Sequence, residues 1–292
     1  MVVEEPQRVA AFAGAAAVLM ERSLPERELS AVATPGPAVA SARGKPPSAR
    51  RPASSQSPEE ALSRAMTAQT ARSRGIWARK GLATRGPLDR TTHSMLLRQL
   101  YLSHYEQRHF KKASEIAEQN IALGTLGEFA HQDAARAKQA LGDIDGAAAH
   151  LRMAARVGPP KRRPFHWWTL GSLYYLAGRH DEAIEAMSRA ARWGTTDKPL
   201  YQGHRAVVER ARGDSVGDLP TLIARLSSVP AGQGYGRFVL GQLAFHAHRW
   251  TEARRYLEAF VRRTTGGRAV LAIALEGELE VARSTLAKMA NG

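Results

Sequence analysis

Between residues 167 and 191 the chain reads Trp167-Trp168-Thr169-Leu170-Gly171-Ser172-Leu173-Tyr174-Tyr175-Leu176-Ala177-Gly178-Arg179-His180-Asp181-Glu182-Ala183-Ile184-Glu185-Ala186-Met187-Ser188-Arg189-Ala190-Ala191. The apolar residues Leu170, Leu173 and Tyr174 fall at helical spacing and form one stripe. Gly178 then interrupts the pattern, as a residue that ends a helix does. Asp181 and Glu182 follow where the first turn of a second helix favours negative charge. Gly171 and Ala183 are small at the level where two antiparallel helices would come closest. The string therefore describes one helical hairpin.

A unit of an array must recur, and the small residue that opens the second helix does. It stands at Ala113 in Phe110-Lys111-Lys112-Ala113, at Ala147, at Ala183 and at Ala253 in Trp250-Thr251-Glu252-Ala253. The intervals read from these numbers are 34, 36 and 70 residues, the last being two periods of 35. Repeats of this length belong to helical solenoids. The missing unit between Ala183 and Ala253 is assigned to the stretches 201–214 and 219–226, a degenerate unit in which Arg205 replaces Gly171 and the alanine is lost near Asp218 to Pro220. Ala269–Ile273 and Gly277–Leu286 are read as a clipped sixth unit, because terminal repeats are atypical.

The pattern W-x-x-L-G-x-x-Y followed by a helix opening on Ala183 resembles the tetratricopeptide repeat family, over about residues 92 to 290. The resemblance implies an all-α fold, a right-handed superhelical solenoid of antiparallel helix pairs. It also implies that the first helices line a concave side that holds an extended peptide of a partner protein. The inward positions in that register are Arg98, Gln99 and Tyr105 in the first unit, and Gln132, Asp133, Arg136 and Gln139 in the second. Trp168, Thr169, Ser172 and Tyr175 follow in the third, Gln202 in the fourth, and Phe238, Gln242 and Phe245 in the fifth. Amides and arginines can bond a peptide, and exposed aromatics can anchor it. The family's cluster of Lys and Asn that grips a terminal carboxylate is not reproduced, since Leu102 and Ala206 stand where such groups could sit.

Composition divides the chain. Residues 1–56 are read as a disordered N-terminal region with a short helix at 7–22, residues 57–91 as a helix and linker, and residues 92–292 as the repeat domain of about six units. Between Thr34 and Pro58 there is no aromatic residue and, among large aliphatics, only Val39. Such a stretch buries too little apolar surface to offset its ordering entropy. The apolar run Val9–Met20 is too short to span a bilayer and lacks the basic flank of an export signal. A cytoplasmic location is therefore expected, with export through an atypical signal as the alternative.

The formal charge of +15 calls for its distribution to be read. Residues 1–90 carry 14 Lys plus Arg against 8 Asp plus Glu, a net of +6, which leaves +9 for the remainder. The excess is diffuse, so a peptide is favoured over nucleic acid as the partner. The alternative is a polyanion meeting the basic tail and the loop Lys161, Arg162 and Arg163.

Few residues invite chemistry. The chain has no cysteine, which excludes disulfides and thiolate sites. His246 and His248 point to different faces of a helix, and no metal-ligand spacing occurs. Gly232-Gln-Gly234-Tyr-Gly236 is read as an inter-repeat turn. Glu278 and Glu280 are read as acids opening a helix in solvent. The expectation is a binding protein without catalytic residues, metal or cofactor.

Overall fold

The computed structural model describes residues 57–291. The expectations for residues 1–56, including the helix at 7–22, lie outside the described residues. Within them all regular structure is helical. Helices α1 (Pro58–Thr67) and α2 (Ala71–Leu82) come first. Five pairs follow: α3 (Arg90–Glu106) with α4 (Phe110–Leu123), α5 (Gly127–Ala140) with α6 (Ile144–Val157), α7 (Arg163–Leu176) with α8 (His180–Trp193), α9 (Lys198–Arg212) with α10 (Leu219–Ser227), and α11 (Gly236–His246) with α12 (Trp250–Thr265). The chain then makes α13 (Ala269–Ala274) and α14 (Glu276–Asn291). Each helix of the pairs packs on its partner, and successive pairs stack into a solenoid-like array of antiparallel helices.

The repeat is written into the backbone at the turn inside each pair. A left-handed residue stands there every time: Arg108, Gly142, Gly178, Gly213 and His248, with φ between 57° and 103°. The numbers place them 34, 36, 35 and 35 residues apart. Just beyond each, an amide reaches back six residues along the chain numbering inclusive of both ends, as His109 N–H to His104 C=O, Asp143 to Lys138, Arg179 to Tyr174, Asp214 to Glu209 and Arg249 to Ala244, all at 2.9–3.0 Å. This closure satisfies carbonyls that the helix end would leave bare.

Close approach of the paired helices explains the small residues. A Cβ at Gly171 would lie 2.5 Å from Met187 Cγ, and one at Gly241 the same distance from Leu257 Cγ. Ala113, Ala147, Ala183 and Ala253 are fully buried against the first helix of their pairs. Counting back from the left-handed turn at Gly213 corrects the reading of the fourth unit. The residue equivalent to Gly171 is the buried Ala206, while Arg205 is half-exposed and pairs with Glu209 at 3.0 Å. The unit keeps its small residue; what is altered is the second helix. Asp218 caps α10 by accepting from Thr221 N–H at 2.9 Å, Pro220 sits in its first turn, and the helix is only 9 residues long.

The region before the array holds two helices. Ser57 caps α1, accepting from Glu60 N–H at 3.1 Å, with Pro58 at the first position. The stretch that follows, read as linker, contains α2, capped by Thr70. Gly75 and Gly81 let α2 lie close on α3, since a Cβ at Gly81 would meet Leu96 Cδ2 at 2.7 Å.

The C-terminal hairpin α13–α14 does more than extend the stack. Helix α13 has only 6 residues, and it packs on α3 as well as on α12. Val270 joins Leu97, Tyr101 and Tyr105 in one apolar cluster. Leu275, Leu279 and Ala282 join the main core that runs through the later units. Gly277 lies against Leu176, and Arg108 pairs with Glu276 at 3.0 Å. The last hairpin thus touches first helices from α3 to α11.

Candidate functional site

None of the inward residues named from sequence is fully exposed. Arg98, Tyr105, Gln132, Asp133, Trp168, Ser172, Phe238 and Gln242 are buried, whereas Gln99, Arg136, Gln139, Thr169, Tyr175, Gln202 and Phe245 are half-buried. For Trp168 and Phe238 the cause is aromatic packing. Trp168 is 1% exposed and lies among Phe165, Tyr201, His204 and Tyr235, with ring centroids 4.8–6.0 Å away. Phe238 packs on Tyr235 and Phe260. An open groove surface is therefore corrected to a core position for these two rings.

Ser172 and Gln242 are covered for a different reason: α14 lies on them. The Ser172 and Tyr235 hydroxyls each donate to Glu278 Oε1 at 3.1 Å. Gln242 Nε2 donates to Thr285 Oγ1 at 3.0 Å. Glu278, read from sequence as a solvated acid, is buried here. Burial raises its carboxyl above the ordinary 4.5, against the lowering effect of those hydrogen bonds. Its other oxygen has no hydrogen-bond partner among the described residues. Beside it is a cavity of about 50 Å³ that Arg136, Gln139, Thr169 and Ser172 also line.

Toward α3 a second polar cluster lies under α13. Arg98 Nε donates to Asp133 Oδ2 at 3.1 Å, and Arg136 approaches the other carboxylate oxygen at 3.8 Å. Tyr101 and Tyr105 stack beside them, and burial pushes the Tyr105 hydroxyl up to about 12. Gln132 is spent inside the fold: its Nε2 is 2.6 Å from His166 Nδ1, and His166 Nε2 is 2.9 Å from Glu128. Glu128 also holds Arg162 of the basic loop at 3.1 Å. Lys161 is exposed, and Arg163 Nε donates to Gly158 C=O at 3.4 Å. The loop is thus not a uniform basic patch.

The side chains that organise this face and that the sequence reading missed are Tyr235 and Glu278. Tyr235 lies inside the glycine-rich turn, where only the glycines drew attention. Glu278 sits in a first turn, the usual place of a solvated acid. Nothing local to either residue tells of the 43 positions that separate the two hydrogen-bonded partners.

The described residues contain no group of three or more His, Cys, Asp or Glu able to hold a metal ion. None of their helices is long and apolar enough to cross a membrane. His246 ends α11 and His248 stands beyond it in the left-handed turn, not on a second face of the helix; burial first, then Arg210, His248 and Lys288, lower His246 to about 4. Neither a protein-family model nor a curated protein matches the chain.

Proposed function

We propose that this chain is a protein-interaction scaffold of the tetratricopeptide type, which receives a segment of a partner polypeptide against the inward faces of its helix pairs. One observation carries the reading. That face already holds a polypeptide segment, residues 269–291, through the side-chain bonds from Ser172, Tyr235 and Gln242 and through burial of Val270, Leu275 and Leu279. A helical segment with an acid near its start and an apolar stripe is the kind of ligand this face fits. In this reading a partner exchanges with the hairpin, and Gln99, Gln139, Thr169, Tyr175, Gln202 and Phe245, which are only partly buried, make the first contacts.

The absence of cysteine permits a clean test. A Cβ built at Gly277 lies 3.5 Å from Leu176 Cγ, so Leu176→Cys with Gly277→Cys places two thiols across the closed hairpin. Partners identified by affinity capture, then purified, are titrated into the reduced and the oxidised forms. Binding by the reduced form and its loss in the oxidised form is the expected result. Equal affinity in both forms would overturn the assignment of the partner to this face.

A further inference from the structure

A second recess lies between α6, α7 and α8 and shares no residue with the inward cavity beside Glu278. Its volume is about 570 Å³, within the range of small-ligand sites. Arg152, Arg156 and Arg163 line it together with the indoles of Trp167 and Trp193, and no carboxylate or amide side chain does. The charge there is oriented. Arg152 donates to the Tyr174 hydroxyl at 2.5 Å, and Arg163 Nε donates to the Gly158 carbonyl at 3.4 Å, so two of the three guanidiniums are tethered by neutral groups and keep their charge at the recess. Arg156 has no acidic partner among the described residues.

The indoles are equally unusual. Trp193 is 53% exposed, and no aromatic ring among the described residues packs on it. Trp167 is supported by the guanidinium of Arg189, 4.7 Å from its ring centroid, and Glu185 fixes that arginine at 2.6 Å. A large aromatic surface left open beside three like charges is unfavourable in isolation. An anion that also carries a flat ring relieves both conditions at once, by paired hydrogen bonds from guanidinium and by stacking on indole. An extended peptide would find no amide side chain in the lining to pair its main chain.

From this we infer that the recess between α6, α7 and α8 is a binding site for a nucleoside phosphate, its base on Trp193 and Trp167 and its phosphate among Arg152, Arg156 and Arg163. The ligand is either a free nucleotide or a nucleotide within a single strand, and the experiment separates the two.

Isothermal titration calorimetry on the full chain compares adenosine monophosphate, adenosine, inorganic phosphate and a short oligodeoxyadenylate. Adenosine monophosphate is expected to bind at least about tenfold more tightly than adenosine or phosphate, since both contacts contribute. Arg156→Ala and Trp193→Ala each weaken binding about tenfold, and Arg156→Lys recovers part of it. Both side chains are exposed, so the melting temperature stays that of the parent chain. If the oligonucleotide alone binds, and both variants weaken it, the ligand is a nucleotide within a strand. The inference is overturned if phosphate binds as tightly as the nucleotide, if neither variant weakens binding, or if neither the nucleotide nor the strand binds.

Discussion

Replacing Trp168 by Ala and by Phe separates a core indole from a groove indole by stability alone. Its ring is enclosed by Phe165, Tyr201, His204 and Tyr235, and its Nε1–H donates to His204 Nδ1 at 3.1 Å. Removing the ring opens a cavity in the main core, and a buried aromatic truncated to Ala loses about 3–5 kcal/mol. Phe keeps most of the volume but strands the imidazole acceptor. His204 Nε2 already lacks a partner among the described residues, so the ring would keep none of them, at a cost of about 1–3 kcal/mol. In a domain of this size each kcal/mol lowers Tm by about 2–4 °C. Urea unfolding followed by far-ultraviolet circular dichroism gives both values without relying on the altered fluorophore. A Trp168→Ala chain within about 1 kcal/mol of the parent, at an unchanged m value, would refute the core placement and return Trp168 to the groove.

Other outcomes follow from the buried titratable groups and the turns. Burial lowers His204 to about 3, below its ordinary 6.5; the unfolded chain then takes up a proton that the folded chain refuses, and stability drains away as pH falls from 6.5 toward 3. His204→Asn, whose amide oxygen can accept from Trp168, should make that decline shallower in urea midpoints measured across the window; an unaltered slope counts against the placement. Glu278 has the opposite sign. Its pKa is raised, so its contribution is complete below 4.5 and is lost as pH climbs through the folded value. Glu278→Gln keeps an acceptor for Ser172 and Tyr235 and is expected to exceed the parent in stability at neutral pH, by about 1.4 kcal/mol for each unit of displacement, and to converge with it in acid. A parent that stays the more stable at neutral pH would contradict the buried carboxyl. His248 holds a left-handed backbone where three other units have glycine. His248→Gly relieves about 1 kcal/mol of strain, partly offset by the freedom glycine gains when unfolded; calorimetry should show a small rise in Tm, and a fall of several degrees would argue against strain at that turn.

The helix pairs were legible because each is declared locally. Gly178 and Ala183 mark a turn and a close contact within a few residues of each other, and the same marks recur at about 35. In the fourth unit Ala206 takes the place of glycine without changing the packing, so only the left-handed turn at Gly213 fixes the count, one position on from Arg205. The residues assigned to an inward face lie on the first helices of the pairs, but eight of the fifteen are buried. A position such as Ser172 faces inward as the periodicity implies, but its burial depends on α14, more than a hundred residues away. No local pattern announces that Glu278 will meet Tyr235, because helical periodicity reports which side of a helix is apolar and not what arrives to cover it.

The inward turn of α13–α14 also bears on how the molecule comes apart. A linear stack of repeats touches only its neighbours, so its units can fray one after another from either end. Here Arg108 meets Glu276 across 168 positions, and Val270 shares a cluster with Tyr101. Such contacts tie the opening of the array to its close. Loss of the last helices therefore strips cover from the first, and unfolding becomes a joint event rather than a sequence of local ones. The same long loops must close before those contacts form, which slows assembly relative to an open stack.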